Sequence, residues 1–160
     1  MEQDIQIREF TGEDIAVLHR LLQNTIDISY QEVYPPEAVK LFKEYNSEKQ
    51  ILIDAVDGYT IAVVYNGEIV GTGTLVGDHI SHISRVYIDP QYQHRGMGKM
   101  IVRELENKAL KEELTIINLD GSLASRDFWE SLGYNVRKED SIPVENDRRL
   151  YLYRMSKTFQ

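Results

Sequence analysis

Gln93-His94-Arg95-Gly96-Met97-Gly98-Lys99 follows the apolar run Arg85-Val86-Tyr87-Ile88-Asp89-Pro90 and opens an amphipathic stretch over residues 97–110. A strand, a basic glycine turn and then a helix is the layout of a phosphate-binding loop. The first amides of a helix have no acceptor inside it, and the helix dipole adds about half a positive charge at that end. Gly96 and Gly98 carry no side chain, so backbone N–H groups there can close around an oxyanion. His94, Arg95 and Lys99 add basic side chains beside them. Two common nucleotide loops do not fit. G-x-x-x-x-G-K-[ST] is absent, and a G-x-G-x-x-G turn would meet Ile101 where its third glycine belongs.

Upstream of the turn the chain reads as hairpins. Residues 59–65 are rich in β-formers, Asn66-Gly67 is a tight-turn pair in which both residues tolerate positive φ, and residues 68–76 return as the next strand. Gly77-Asp78 makes a second turn, and residues 79–88 run as the strand that feeds the loop. On the helix that follows, Met97, Ile101, Leu105 and Ala109 recur every four residues and form a stripe to pack on a sheet. A short strand over 114–119 comes next, then a helix over 124–132. Ser122 or Ser125 can cap that helix, and Gly133 stands where a left-handed residue would end it. Strands over 134–138 and 149–155 complete the C-terminal half. In the N-terminal half, residues 5–10 alternate as a first strand. Thr11 can cap a helix over 14–22 with Ile15, Leu18, Leu21 and Leu22 on one face. Residues 24–34 show a mixed pattern, and Pro36 suits the first turn of a second helix over 37–45. Consecutive hairpins followed by a crossover helix make a mixed α/β order.

The spacing Q-x-x-G-x-G after a strand ending in Asp-Pro resembles the acetyl-CoA loop of the GNAT superfamily of N-acetyltransferases. A second block, Ser122-Leu-Ala-Ser-Arg-Asp-Phe-Trp-Glu-Ser-Leu-Gly-Tyr134, resembles that family's later motif A-x-x-F-Y-E-x-x-G-F, with Ala124, Phe128, Glu130, Gly133 and Tyr134 in the matching places. Two blocks in order and at the right separation are more specific than either one. The resemblance covers most of the chain and is strongest over residues 70–136. It implies a central, mostly antiparallel twisted sheet of about six or seven strands flanked by about four helices.

The resemblance also implies roles. Gln93, His94, Arg95, Gly96, Met97, Gly98 and Lys99 would hold the pyrophosphate of coenzyme A. Val86, Tyr87 and Ile88 lie on the strand whose backbone pairs with the pantetheine arm in the family, with Val86 and Ile88 on one face and Tyr87 on the other. Phe128 and Trp129 would pack on that arm, and Ser122 falls where relatives often carry a cofactor-contacting asparagine. His82 shares a strand face with Ser84 and matches the position of a glutamate base in the histone-type branch. A histidine near its ordinary pKa can serve as that base, although a hydrogen-bonded histidine with no part in the chemistry is the plainer expectation. Asp120 is a carboxylate able to relay protons through water. Trp129 departs from the family's tyrosine acid, because an indole N–H is not acidic near neutrality. Tyr134, Tyr30 and Tyr34 are the tyrosines that could replace it, or water could protonate the thiolate. Direct attack of an amine on acetyl-CoA is the implied route, with no acyl-enzyme and no metal. The acceptor would be a primary amine of a small molecule or a protein, and family analogy allows a homodimer. A catalytically weak acyl-CoA-binding or sensor module on the same fold is the alternative. A nucleotide- or phosphate-binding protein of another kind is a third.

Bulk properties set the outer limits. A chain of 160 residues with 42% hydrophobic and 28% charged content suits one globular domain over residues 1–160. No apolar run reaches the roughly 18 residues that span a bilayer. The acidic start, Met1-Glu2-Gln3-Asp4, does not read as a signal peptide, and a cytoplasmic setting is the simplest expectation. The chain has no cysteine, which excludes disulfides, a thiol nucleophile and cysteine-based zinc sites. A net charge of −8 argues against nucleic acid, which prefers a basic stripe, and is compatible with a cationic amine.

Overall fold

A computed structural model describes residues 4–77, 79 and 81–160. Seven strands form one sheet, β1 (Ile5–Glu9), β2 (Tyr59–Tyr65), β3 (Glu68–Val76), β4 (His82–Ile88), β5 (Ile116–Ser122), β6 (Asn135–Pro143) and β7 (Arg149–Thr158), in the spatial order β1-β2-β3-β4-β5-β7-β6. Every neighbouring pair is antiparallel except β4 and β5, which are parallel and need a crossover. Among the described residues five α-helices accompany the sheet: α1 (Ile15–Tyr30), α2 (Pro36–Tyr45), α3 (Glu48–Asp57), α4 (Met97–Lys111) and α5 (Arg126–Ser131).

The crossover is α4, and its apolar stripe packs as expected. Met97, Ile101, Leu105 and Ala109 are buried in one cluster with Ile61, Val63, Leu75, Ile83 and Ile88 of the sheet. Close approach is possible because β3 carries glycine beneath the helix. A side chain on Gly73 would collide with Ile101 Cγ2, and one on Gly71 would meet Ile101 Cδ1 at 3.4 Å. The opposite face of the sheet is covered by α1, α2 and α3. There Leu18, Leu22 and Ile51 form one cluster, and Ile26, Tyr30, Tyr34, Leu150 and Leu152 form another. Asn66 and Gly67 both adopt positive φ, 50° and 86°, as the hairpin between β2 and β3 demands.

Several expectations change. The first helix runs to Tyr30 rather than Leu22, because Thr25, Ile26 and Tyr30 continue the buried stripe of Leu18, Leu21 and Leu22. Thr11 precedes a 3-10 turn, Gly12–Asp14, before α1 begins. α3 has no counterpart in the expectation of about four helices, yet Ser47-x-x-Gln50 is a start signal. Ser47 Oγ accepts from the Gln50 amide at 3.2 Å. β4 begins at His82, since His79 is left-handed at φ 59°. Asp78 and Ile80 of the expected turn and strand lie outside the described residues, as do Met1 to Gln3. α5 is shorter than expected, and Ser122 and Ser125 do not cap it with their side chains. The two hydroxyls bond each other at 3.0 Å instead. Gly133 is left-handed as expected, at φ 94°.

Candidate active site

The sheet opens at one residue. Two steps along β3, from Thr72 to Thr74, face three along β4, from Tyr87 to Ser84. The extra place falls at Arg85, whose φ is 56°. Such a bulge bends the strand and increases its twist. β4 and β5 pair only at His82↔Asn118 and Ile83↔Leu119, just before the bulge. Beyond it β4 follows β3 as far as Ile88, while β5 follows β7 as far as Ser122. The β5-facing edge of β4 from Arg85 onward is therefore paired with no strand. A cleft of about 110 Å³ lies in this opening, lined by Tyr30, Phe42, Ser84, Tyr87, Asp120 and Trp129, with Arg85, Val86, Ser122 and Phe128 contributing.

The bulge also resets the faces of β4. Ile83, Val86 and Ile88 point toward α4, with Val86 Cγ2 3.6 Å from where a Gly73 side chain would begin. His82 and Ser84 share the other face with Tyr87. His82 Nε2 stands 3.8 Å from Asp120 Oδ2, and Asp120 Oδ1 pairs with Arg154 Nη1 at 2.8 Å. Burial lowers the His82 pKa from its ordinary value. The Asp120 carboxylate opposes this and Arg154 reinforces it. His82 is therefore a neutral imidazole at pH 7. Asp120 itself lines the cleft.

Beside the open end of β4 lies the glycine turn. Gln93 Nε2 donates to Ile88 O at 3.0 Å and fastens the turn to the strand. His94 and Gly96 are left-handed, at φ 65° and 83°. From His94 onward, the first amide with an acceptor among the described residues is that of Met100, which reaches Gly96 O at 3.2 Å. The amides of Arg95 to Lys99 remain available at the start of a fifteen-residue helix. A side chain placed on Gly96 would meet nothing within 4 Å, whereas one on Gly98 would press on the Phe128 ring at 3.1 Å. His94 and Lys99 are exposed. Arg95 stacks its guanidinium over Tyr65 and Tyr92, 5.8 and 5.3 Å from the ring centroids. An exposed run of donors, a helix N-terminus and the exposed basic side chains beside them suit a diphosphate.

The aromatic residues divide between two places. Trp129 is buried, lines the cleft, and packs against Phe128 at 5.0 Å and Tyr134 at 5.4 Å between ring centroids. Tyr134 does not reach the cleft. It is buried on the α4 side, where its hydroxyl donates to Glu106 Oε2 at 2.8 Å and burial raises its pKa further from neutrality. Lys157 Nζ completes that cluster, 3.1 Å from the same oxygen. The cleft tyrosines are Tyr30 and Tyr87, whose hydroxyl oxygens lie 3.5 Å apart. Burial raises the pKa of Tyr87. Tyr34 accepts from the Leu123 amide and donates to Tyr151 O, at 2.9 and 2.7 Å, and so ties the segment between α1 and α2 to the residue after β5 and to β7.

Arg85 is the residue that sequence reasoning passed over. Its side chain is 6% exposed and pairs with Asp54 at 2.6 Å. It also donates to Asn46 Oδ1 at 2.7 Å and Tyr45 O at 2.9 Å. Nothing in Ser84-Arg85-Val86 announces a left-handed arginine, because that conformation is uncommon outside glycine and asparagine.

Among the described residues no three His, Asp or Glu side chains converge as a metal-ligand group, and no helix is long and apolar enough to cross a membrane. Residues 26–158 match the sequence profile of the acetyltransferase (GNAT) domain. The uncharacterized protein YyaT of Bacillus subtilis (strain 168) is 30% identical over 145 residues, which cover 87% of this chain and 91% of that protein. In structure the chain is similar to a GCN5-related N-acetyltransferase from Rhodopseudomonas palustris, with a TM-score of 0.88, 22% identity and 99% of each chain covered. It is also similar to the PaiA N-acetyltransferase of Thermoplasma acidophilum, solved in complex with coenzyme A. There the TM-score is 0.79 at 19% identity, over 98% of this chain and 99% of that one. At these identities the structural likeness is one of fold.

Proposed function

Because this chain belongs to the GNAT acetyltransferases, we propose that it transfers an acetyl group from acetyl-coenzyme A directly to a primary amine of a small molecule or a protein. One observation carries the proposal: the unpaired edge of β4 beyond Ile83 opens onto the cleft and leads straight to the unpartnered amides of Arg95 to Lys99. A neighbour of the same fold is solved with coenzyme A, which supports the choice of donor.

Acetyl-coenzyme A supplies the activated thioester. The amides of Arg95 to Lys99, with His94 and Lys99, hold its diphosphate. The strand edge over Val86, Tyr87 and Ile88 that faces away from β3 offers backbone hydrogen bonds to the pantetheine arm, and Phe128 and Trp129 give it an apolar wall. The amine enters from the side of Tyr30, Phe42 and Asp120. It must arrive as, or become, the free base, and the His82–Asp120 pair takes the proton. The amine nitrogen then attacks the carbonyl carbon, the C–N bond forms and the C–S bond breaks. The thiolate leaves with a proton drawn from water or from Tyr30 at the cleft. Tyr134 is poorly placed for that task, since its proton is committed to Glu106.

An amine panel assayed for thiol release tests the proposal. Release that depends on one class of amine is the expected result. Binding of coenzyme A with no thiol release from any amine supports the alternative of a sensor module, which Trp129 in place of a tyrosine acid favours. Neither binding nor turnover removes both.

A further inference from the structure

We infer that Arg85 is a positioning residue: its tether to Asp54 holds the β4 bulge open, and so keeps β4 apart from β5 where the acyl donor must lie. The inference rests on the donor reading above and extends it to a residue outside the cofactor turn.

The bulge sits where the strands part. The last residue of β4 paired with β5 is Ile83, and Arg85 is the inserted residue two positions on. Removing the insertion would restore the alternation of β4 and let its edge continue along β5. Its left-handed backbone, at φ 56°, is unfavourable for an arginine, so something must hold it. The side chain supplies that hold from three directions. Asp54 comes from α3, Asn46 Oδ1 from the residue that ends α2, and Tyr45 O from the last turn of α2. Asn46 is itself fixed, 4% exposed, with its Nδ2 donating to Phe42 O at 2.7 Å and its carbonyl accepting from Gln23 at 3.0 Å. Phe42 lines the cleft. One guanidinium therefore links the strand that bends away to the helices that form the acceptor wall. A buried ion pair of this kind is costly to break from one side, because it leaves the partner charge stranded.

Titrating coenzyme A calorimetrically into wild type, Arg85→Ala, Arg85→Gly and Asp54→Asn tests this, with thermal midpoints measured alongside. Arg85→Ala loses the tether and keeps the side-chain strain at positive φ, and is expected to weaken binding at least about tenfold, a difference calorimetry resolves. Arg85→Gly loses only the tether, because glycine adopts positive φ without penalty, so it should bind more tightly than Arg85→Ala. Asp54→Asn keeps the hydrogen bond but not the charge and should fall between wild type and Arg85→Ala. A merely structural arginine lowers the thermal midpoint of the variants and leaves the coenzyme A affinity of each folded protein at the wild-type value. Wild-type affinity in folded Arg85→Gly and Asp54→Asn proteins overturns the inference while the donor reading stands. Wild type that fails to bind coenzyme A overturns the donor reading and this inference with it.

Discussion

His82 and Tyr134 were both candidates for the chemical step through the family resemblance, and the structure treats them differently. His82 lies on the cleft side of the sheet beside Asp120, and burial holds its pKa below the ordinary value near 6.5. A base of this kind is active as the neutral imidazole. The rate is therefore expected to be flat near pH 7 and to fall on the acid side below about 6.5, where His82 takes up a proton. Asp120→Asn removes the one contribution that raises this pKa, so it should move the acid limb lower still. His82→Ala should abolish the limb, and an unchanged profile in that variant excludes His82. The stability follows the same sign. A histidine whose folded pKa is depressed contributes stability above the unfolded value, and this is lost as pH falls through the lower folded value. Tyr134 instead shares Glu106 with Lys157 beneath the sheet. Tyr134→Phe leaves Glu106 with one partner fewer and should cost about 1–2 kcal/mol of stability, read as a lower melting temperature. Its kcat should match wild type; a large kcat loss in a folded Tyr134→Phe protein would restore Tyr134 as the acid.

Elements were legible in the sequence where a local rule governs them. The hairpin at Asn66-Gly67, the apolar stripe of α4 and the left-handed Gly133 each follow from a few neighbouring residues. α3 carried a start signal at Ser47 and Gln50 that went unread. The β4 bulge is different in kind. It is set by contacts between residues 85 and 54 and between 85 and 46, which no local pattern encodes. The role of Gly98 also looks different at this scale. Its missing side chain makes room for Phe128 of α5, while the open space belongs to Gly96. Gly98→Val is expected to push Phe128 from its place, lower coenzyme A affinity by about tenfold or more, and cost about 1–3 kcal/mol through overpacking. Unchanged affinity in a folded Gly98→Val protein would mean that α5 takes no part in holding the donor.

At the scale of the whole molecule, the parallel join of β4 and β5 is, among the described residues, the place where two strand edges run side by side and then separate. Five antiparallel joins make the rest of the sheet continuous, and helices cover both of its faces. The chain's net charge of −8 surrounds a turn that carries His94, Arg95 and Lys99, so the anion site is a local exception in an acidic protein. That contrast was readable from composition and motif. The strand order, and with it the meeting of residues 30, 42, 87 and 120 around one cleft, was not, because it depends on pairings far apart in the chain. The most direct measurement is a crystal structure of the protein with coenzyme A bound. The account predicts the diphosphate on the amides of Arg95 to Lys99 and the pantetheine arm along β4 from Val86 to Ile88, with the sulphur beside Asp120. A ligand bound elsewhere, with that turn bare and β4 free of contacts, contradicts it.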